Sequence, residues 1–413
     1  MNPSRQSPLA ELPADGPVLM VSSSFPRRPG DSAGHFVGRL AAGLADAGLA
    51  VEVLAPHERG LRRQERLGAV PVRRLRYFIP AALQRLAYGS GIPANLRHHP
   101  LAWLELPFFL LVFAIAIVRR GRGSRLIHAH WGVLGALAVA TRRLHRSPVV
   151  VTVHGSDLHP GVRPPAVGGV TRFAIRRANV VLTPSEDFRR RCLELGASDC
   201  RFVPHGVDGP QHGELDRVRA ARRERLGHRA APRLIAVGRL VPERRHALLL
   251  EALAGIDLDR RGELVLVGDG PERKRLEDLA GRLGPSWTVR FAGAVPTGAV
   301  GELLAEADLY VSATAVETFG LATLEAAAWE LPIVTTTVGY PAELLGREAA
   351  RLVEPDDTAG MRAAIEGLLA DAAARSRLGH DARRRLEEAG LSWDTAVEAT
   401  LEAYRSAVEE SLR

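Results

Sequence analysis

Lysine is almost missing from this chain of 413 residues: Lys and Arg total 55, and Lys274 is the only lysine. A pyridoxal Schiff base, which needs an active-site lysine, would have to use Lys274, several residues into a helical pattern, so that chemistry is not expected. Cysteine is nearly as scarce. Cys192 and Cys200 are too few for a disulfide framework and lie in no metal-spaced pair, so a reducing cytosol is the expected compartment. No Gly-Lys-Ser/Thr sequence is present, which excludes a P-loop phosphotransferase, and Gly30 and Gly34 do not spell a dinucleotide fingerprint. Aromatics are only 5% of residues. The net charge of +8 comes from arginines mixed with Glu on helix faces, and no basic run interleaves with aromatics, so nucleic acid is not an expected partner. The opening MNPSRQSPLAELPADG lacks an apolar core of signal-peptide length, and 1–16 is expected to be a disordered tail. No short-period repeat is visible.

What is present is an alternation of short apolar runs and helical patterns. PVLMVS (17–22), a Gly/Pro/Ser loop, a helix over 37–47 and a strand over 51–54 open a doubly wound sheet. Residues 56–100 read as irregular and basic. Strands follow at 126–130, 148–153, 179–183 and 200–203, with a helix over 185–195. A polar bridge, 209–232, leads to a second series: RLIAV, LVLV, FAGAV, ADLYVSA, IVTT and 351–353. Each half therefore predicts an α/β domain with a parallel sheet covered by helices on both faces. The last segment, 392–413, carries Trp393, Val397, Leu401 and Tyr404 on one helical face.

The most apolar stretch is 101–118, followed by RRGRGSR. Glu105 and Pro107 interrupt it, leaving about eleven apolar residues downstream where about 20 are needed to span a bilayer. Two readings stay open: a core helix packed on the sheet, or a monotopic contact whose Arg-rich flank meets anionic lipid.

His130, His154 and His205 all fall at strand ends, and His128 shares a face with His130. Asp157 and Asp208 could complete a metal set, but no His-x-x-x-His helix pair exists and no metal is expected. Arg239 and Arg244 follow the RLIAV strand, where guanidinium groups can take diphosphate oxygens.

The chain is organised around 307–343, a βαβ unit whose loop and helix read ETFGLATLEAAAW. The spacing predicts a helix from near Thr318 to about Trp329, with Glu317 just before it and Glu325 on it, about 10–12 Å apart along the axis. The first-turn amides of Phe319, Gly320 and Leu321 would face an anion, and Gly320 lets the backbone come close. Taken singly, Glu317 reads equally well as a dipole-favoured acid and Glu325 as a solvated one.

Together, within ETFGLATLEA, they resemble the paired-Glu motif of the retaining glycosyltransferases of family 4, and the likeness runs over nearly the whole chain. It implies a GT-B fold, two Rossmann-like doubly wound domains facing across a cleft: 17–208 on the acceptor side, 209–390 holding the nucleotide sugar, and 391–413 as a helix crossing back. It implies hexosyl transfer from a UDP-, GDP- or ADP-sugar to a glycan, lipid-linked or small-molecule acceptor, with no cofactor. By the resemblance, Glu317 holds the donor sugar hydroxyls, Glu325 the ribose, and Arg239 and Arg244 the diphosphate. His154, first residue of an HGxD match ending at Asp157, lies beside the reacting sugar, Asp157 binds the donor, and Gly34 lies on the loop that reaches the donor phosphate. A non-catalytic GT-B binding subunit and a GT-B epimerase are the alternatives. The sequence departs from the family at Arg244 (usually Lys), at Arg245 and Glu330 (usually Gly) and at Tyr340 (a second Gly), which bears on donor identity. The expected location is cytoplasmic, at the inner face of the membrane if 101–122 is monotopic.

Overall fold

A computed structural model describes residues 16–412, except 90, 93–94, 97–98, 159–164, 212 and 228–230, so the expected tail lies, but for Gly16, outside the described residues. The chain divides into two units: Met1–Gly206 with Trp393–Arg413, and Val207–Ser392.

The first unit is built on β1 (Val18–Val21), β2 (Val51–Pro56), β3 (Gln64–Leu67), β4 (Val70–Leu75), β5 (Leu126–His130), β6 (Val149–Thr152), β7 (Val180–Thr183) and β8 (Cys200–Phe202), in the order β3-β4-β2-β1-β5-β6-β7-β8. Only β3 is antiparallel, paired with β4. Successive residues of β1 feed opposite cores. Leu19 and Val21 pack with Phe109, Phe113 and Ile117, whereas Val18 and Met20 pack with Leu40, Leu44 and Tyr404. Burial on both faces is why this strand is an unbroken apolar run rather than an alternating one. The β3–β4 hairpin corrects the irregular reading of 56–100. Only Val70 and Val72 of β4 are apolar and buried, while β3 is largely solvated, so neither strand stands out by composition.

The helix Pro100–Gly121 is continuous through Pro107, another correction. Glu105 does not break it: the buried carboxylate accepts the backbone N–H of Arg85 and Leu86 at 2.9 Å each. Its Ala102, Phe109, Phe113 and Ile117 face is core, but Leu104, Phe108, Leu111 and Ile115 are exposed. On the opposite face of the sheet, the final helix Trp393–Leu412 buries Val397, Leu401 and Tyr404 against the core that includes Leu40 and Leu44 of the helix His35–Asp46.

The second unit has β9 (Arg233–Val237), β10 (Gly262–Val267), β11 (Trp287–Gly293), β12 (Leu309–Val311), β13 (Ile333–Thr336) and β14 (Arg351–Val353), all parallel, ordered β11-β10-β9-β12-β13-β14. This is the doubly wound order, and its switch point lies between β9 and β12, as that of the first sheet lies between β1 and β5. The polar bridge contains a helix, Glu214–Gly227, whose Arg219 pairs with Glu330; almost no apolar periodicity marked it in the sequence.

Candidate active site

In an open parallel sheet, chain reversal at the switch point leaves a crevice at the carboxyl ends of the strands, and ligands bind there. In the second unit that edge holds Arg239, just after β9, and the loop after β12 that carries Glu317. The loops are tied together: Ala315 donates its N–H to the Glu243 carbonyl at 2.9 Å, and Thr336 Oγ1 donates to the Thr314 carbonyl at 2.7 Å. Arg244 forms an ion pair with Glu317, whose other carboxylate oxygen accepts the Thr318 N–H at 3.0 Å. The Glu317 carboxylate raises the Arg244 guanidinium above its usual pKa.

The helix opens at Leu321, not near Thr318, because Gly320 caps it in the left-handed conformation (φ 67°). A Cβ at Gly320 would also lie 2.3 Å from Pro341 Cγ, so glycine is required for a close approach within the protein as well as toward any ligand. Phe319 and Leu321 therefore flank the cap. Phe319 is buried and stacked on Tyr340, with centroids 5.3 Å apart and planes 10° apart, and Tyr340 donates its N–H to the Thr318 carbonyl at 2.9 Å. The Tyr340 departure thus holds the glutamate loop in shape. The Glu330 departure is at the other end of the same helix, where its carboxylate meets Arg219.

Glu325 keeps part of its surface exposed yet is closely surrounded by protein. That desolvation, with the negative charge of Asp208, pushes its carboxyl up to about 8. Asp208 as its electrostatic partner had no sequence signal, since the two are more than a hundred residues apart.

In the first unit the histidines do come together. His130 Nδ1 lies 3.3 Å from His154 Nε2, His154 and His205 rings stack at 5.9 Å, and Phe36 sits 4.9 Å from His154 and 4.7 Å from His205. His128 bridges Tyr404 Oη at 2.7 Å and Thr152 Oγ1 at 2.6 Å. Burial lowers all four: His128 to about 3, His205 to about 4, and His130 and His154 well below the usual imidazole range. They are neutral near pH 7, so His154 can give or take a hydrogen bond but carries no charge. Trp131, at the end of β5 and 4.6 Å from the His154 ring, holds a left-handed φ of 70°. Such strain persists only where the surroundings impose it, and it often marks functional sites.

Asp157 holds the loops after β5 and β6 together. It is buried, and its oxygens accept the backbone N–H of Gly132 at 3.0 Å and of His154 at 2.9 Å. It positions His154. Gly34 caps the helix His35–Asp46 with φ 61°, and a Cβ there would meet the Ser24 carbonyl oxygen at 2.1 Å. That glycine is needed to fold the β1 loop. Sequence reasoning missed Arg74, fully buried, which donates to the Pro26 carbonyl of that loop, bonds Tyr88 Oη at 2.9 Å and pairs with Glu65 at 2.6 Å. One arginine among so many gives no signal of its own. Among the described residues, no group of His, Cys, Asp and Glu could hold a metal ion.

Residues 219–385 match the family profile of glycosyl transferases group 1, and residues 33–206 that of the glycosyl transferase 4-like domain. The D-inositol 3-phosphate glycosyltransferase of Geodermatophilus obscurus is 31% identical over 74% of this chain and 73% of its own length. The chain belongs to the group 1 glycosyl transferases. It is an enzyme of the hexosyltransferase kind. This group 1 transferase is also 28% identical to the glycogen synthase of Mycobacterium tuberculosis, over 94% of each chain. In fold it is similar to Anabaena HepE, solved in complex with UDP-glucose, with a TM-score of 0.68, 18% identity, and coverage of 94% of this chain and 99% of that one. Its two parallel-sheet units make it a GT-B protein.

Proposed function

We propose that this enzyme moves a hexosyl group from a nucleotide-diphosphate sugar to an acceptor hydroxyl with retention of anomeric configuration. The acceptor is a glycan, a lipid-linked sugar or a small molecule. The observation that carries the reading is the Arg244–Glu317 pair at the switch point of the second sheet, with Arg239 on the same edge and Glu325 on the helix that follows the Glu317 loop. The HepE complex with UDP-glucose supports a nucleotide-sugar donor on a fold of this kind.

In this reading the second unit holds the donor. Glu317 accepts hydrogen bonds from sugar hydroxyls, and Glu325 takes the ribose. The bond from the anomeric carbon to the diphosphate breaks and a bond to the acceptor oxygen forms, while the acceptor proton leaves with the diphosphate or to water. Negative charge grows on the leaving diphosphate, and Arg239, Arg244 and the amides at Leu321 stabilise it there. Those guanidinium groups supply the charge a divalent ion would otherwise provide, so no metal enters the scheme. The first unit supplies the acceptor surface, and neutral His154, held by Asp157, is a hydrogen-bonding group on it.

The test is a product assay over UDP-, GDP- and ADP-sugars, with the product anomer read by NMR. Retention, activity unchanged by EDTA, and an Arg239→Ala variant that loses more turnover than donor affinity are expected. Inversion, or EDTA inhibition reversed by Mg²⁺, overturns the scheme. Donor binding without turnover would leave the protein a binding subunit.

A further inference from the structure

The helix Pro100–Gly121 has two faces of different character. One is core: Ala102, Glu105, Phe109, Phe113 and Ile117 are buried. The other is an apolar stripe open to solvent. Leu101, Leu104, Phe108, Leu111 and Ile115 recur at three- and four-residue steps along one side, and Leu104 and Leu111 are each 58% exposed. The same spacing continues into Arg119 and Arg122, both exposed, so the stripe ends in positive charge.

A second element widens the patch. The Phe78 ring packs edge-on against Phe108 at 5.7 Å, and Glu105 holds the amides of Arg85 and Leu86. The segment between them projects Ile79, 83% exposed, and Leu83, with Arg76 and Arg85 exposed beside them. From 59 to 125 the sequence has thirteen arginines and two glutamates, a net charge of +11, against +8 for the whole chain. One of those glutamates, Glu105, is buried. Arg74 is buried and paired with Glu65, and Arg73 and Arg120 pair with Glu52, but the positive excess of the sequence still falls in the stretch that contains the exposed apolar helix.

We infer that this face docks on an anionic lipid bilayer, lying in the interface without crossing it. The helix is long and apolar enough to span a membrane, but its Phe109, Phe113 and Ile117 face belongs to the same core as Leu19 and Ile127 of the sheet. Spanning would strip that core, whereas lying flat leaves it intact and covers the outer stripe. Apolar side chains enter the headgroup boundary while arginines at the rim meet lipid phosphates. Charge decides against a second copy as the occupant: a two-fold pairing of this face would bring two strongly basic flanks together. The inference is independent of the proposed activity, because vesicle binding needs no nucleotide sugar.

The full chain is sedimented with vesicles of phosphatidylcholine alone or mixed with phosphatidylglycerol, with Trp103 emission as a second readout. Binding to the mixed vesicles only, with a blue shift, is expected, and it should weaken as salt rises from about 0.1 to about 1 M and the screening length falls from ~10 to ~3 Å. Paired Leu104→Gln and Leu111→Gln changes, at exposed positions, should weaken binding on the order of a hundredfold with the melting temperature unchanged. Paired Arg119→Gln and Arg122→Gln changes should cost about thirtyfold, the equivalent of ~1 kcal/mol per charge. No binding to mixed vesicles at low salt overturns the inference, as does binding that ignores the leucine pair or is equal on neutral vesicles. A dimer that the leucine pair dissolves would assign the face to a second copy and overturn it too.

Discussion

Arg244 and Glu317 are joined by an ion pair across the switch point of the second sheet, one from the loop after β9 and the other from the loop after β12. Neither strand is adjacent to the other in sequence; the doubly wound order makes them neighbours. If the two side chains act as one unit on the donor, their losses should not add. Arg244→Ala is expected to lower kcat about 10²–10³-fold, and adding Glu317→Gln should lower it little further. Steady-state turnover of both singles and the double checks this, and additive losses would show two independent roles.

If Glu325 takes the ribose, donor affinity should depend on pH. Its carboxyl is raised to about 8 by desolvation and Asp208, so near pH 7 the unliganded group is mostly protonated. The ribose hydroxyls bind best to the carboxylate. Binding therefore releases a proton, and affinity should rise from pH 6 toward about 8 and then level. Glu325→Ala should weaken nucleotide binding by about 1.5–3 kcal/mol and flatten this profile. Calorimetry in buffers of different ionisation heat reads the proton directly, and a pH-flat affinity in the parent protein would remove Glu325 from the ribose.

Two positions where the family usually has glycine hold other residues at left-handed φ: Arg245 at 53° and Glu330 at 52°. Non-glycine residues pay about 1–2 kcal/mol for that conformation. The ion pair of Arg245 with Asp356 is well exposed and worth little, so Arg245→Gly should be neutral or stabilising by up to about 1 kcal/mol. The Glu330 carboxylate is nearly covered and paired with Arg219, so Glu330→Gly should destabilise by about 1–2 kcal/mol. Thermal melts of the two variants decide it; the reverse order would contradict the account.

The histidine cluster sets the acid limit of the first unit. Buried and neutral in the fold, His128, His130, His154 and His205 take up protons near pH 6.5 only when unfolded. Below that pH the unfolded state binds more protons, so stability falls with pH by up to about 1.4 kcal/mol per unit for each histidine. For His128 the loss continues to about pH 3. Glu325 runs the other way, being protonated in the fold below about 8, but it is one group against the four of the cluster, His205 included. Urea midpoints should fall between pH 6.5 and 5, and a flat profile in that window would contradict the buried, neutral assignment.

Much of this was legible in the sequence where a short pattern determines a local structure. The apolar runs marked most central strands, and ETFGLATLEA marked the glutamate loop with its helix, although the start was read about three residues early because the Gly320 cap is a backbone conformation and not a pattern. The β3–β4 hairpin and the helix Glu214–Gly227 were missed because solvated elements carry little periodicity. Glu105 and Pro107 misled for the opposite reason. A carboxylate that captures two amides of a neighbouring segment is stable inside a helix, but only the folded chain supplies those amides. Asp157 was read as a donor-binding group; that it also ties Gly132 to His154 was not legible, because those two come together only through the β5–β6 pairing.

The most direct test of the central claim is calorimetric titration of the protein with UDP-, GDP- and ADP-sugars, repeated on Glu325→Ala and on Arg244→Ala. The account predicts that one nucleotide sugar binds, that both variants weaken it, and that both keep the parent fold by circular dichroism. A folded parent protein that binds none of the three, or variants that bind as tightly as the parent, would contradict a donor site at the β9–β12 switch point.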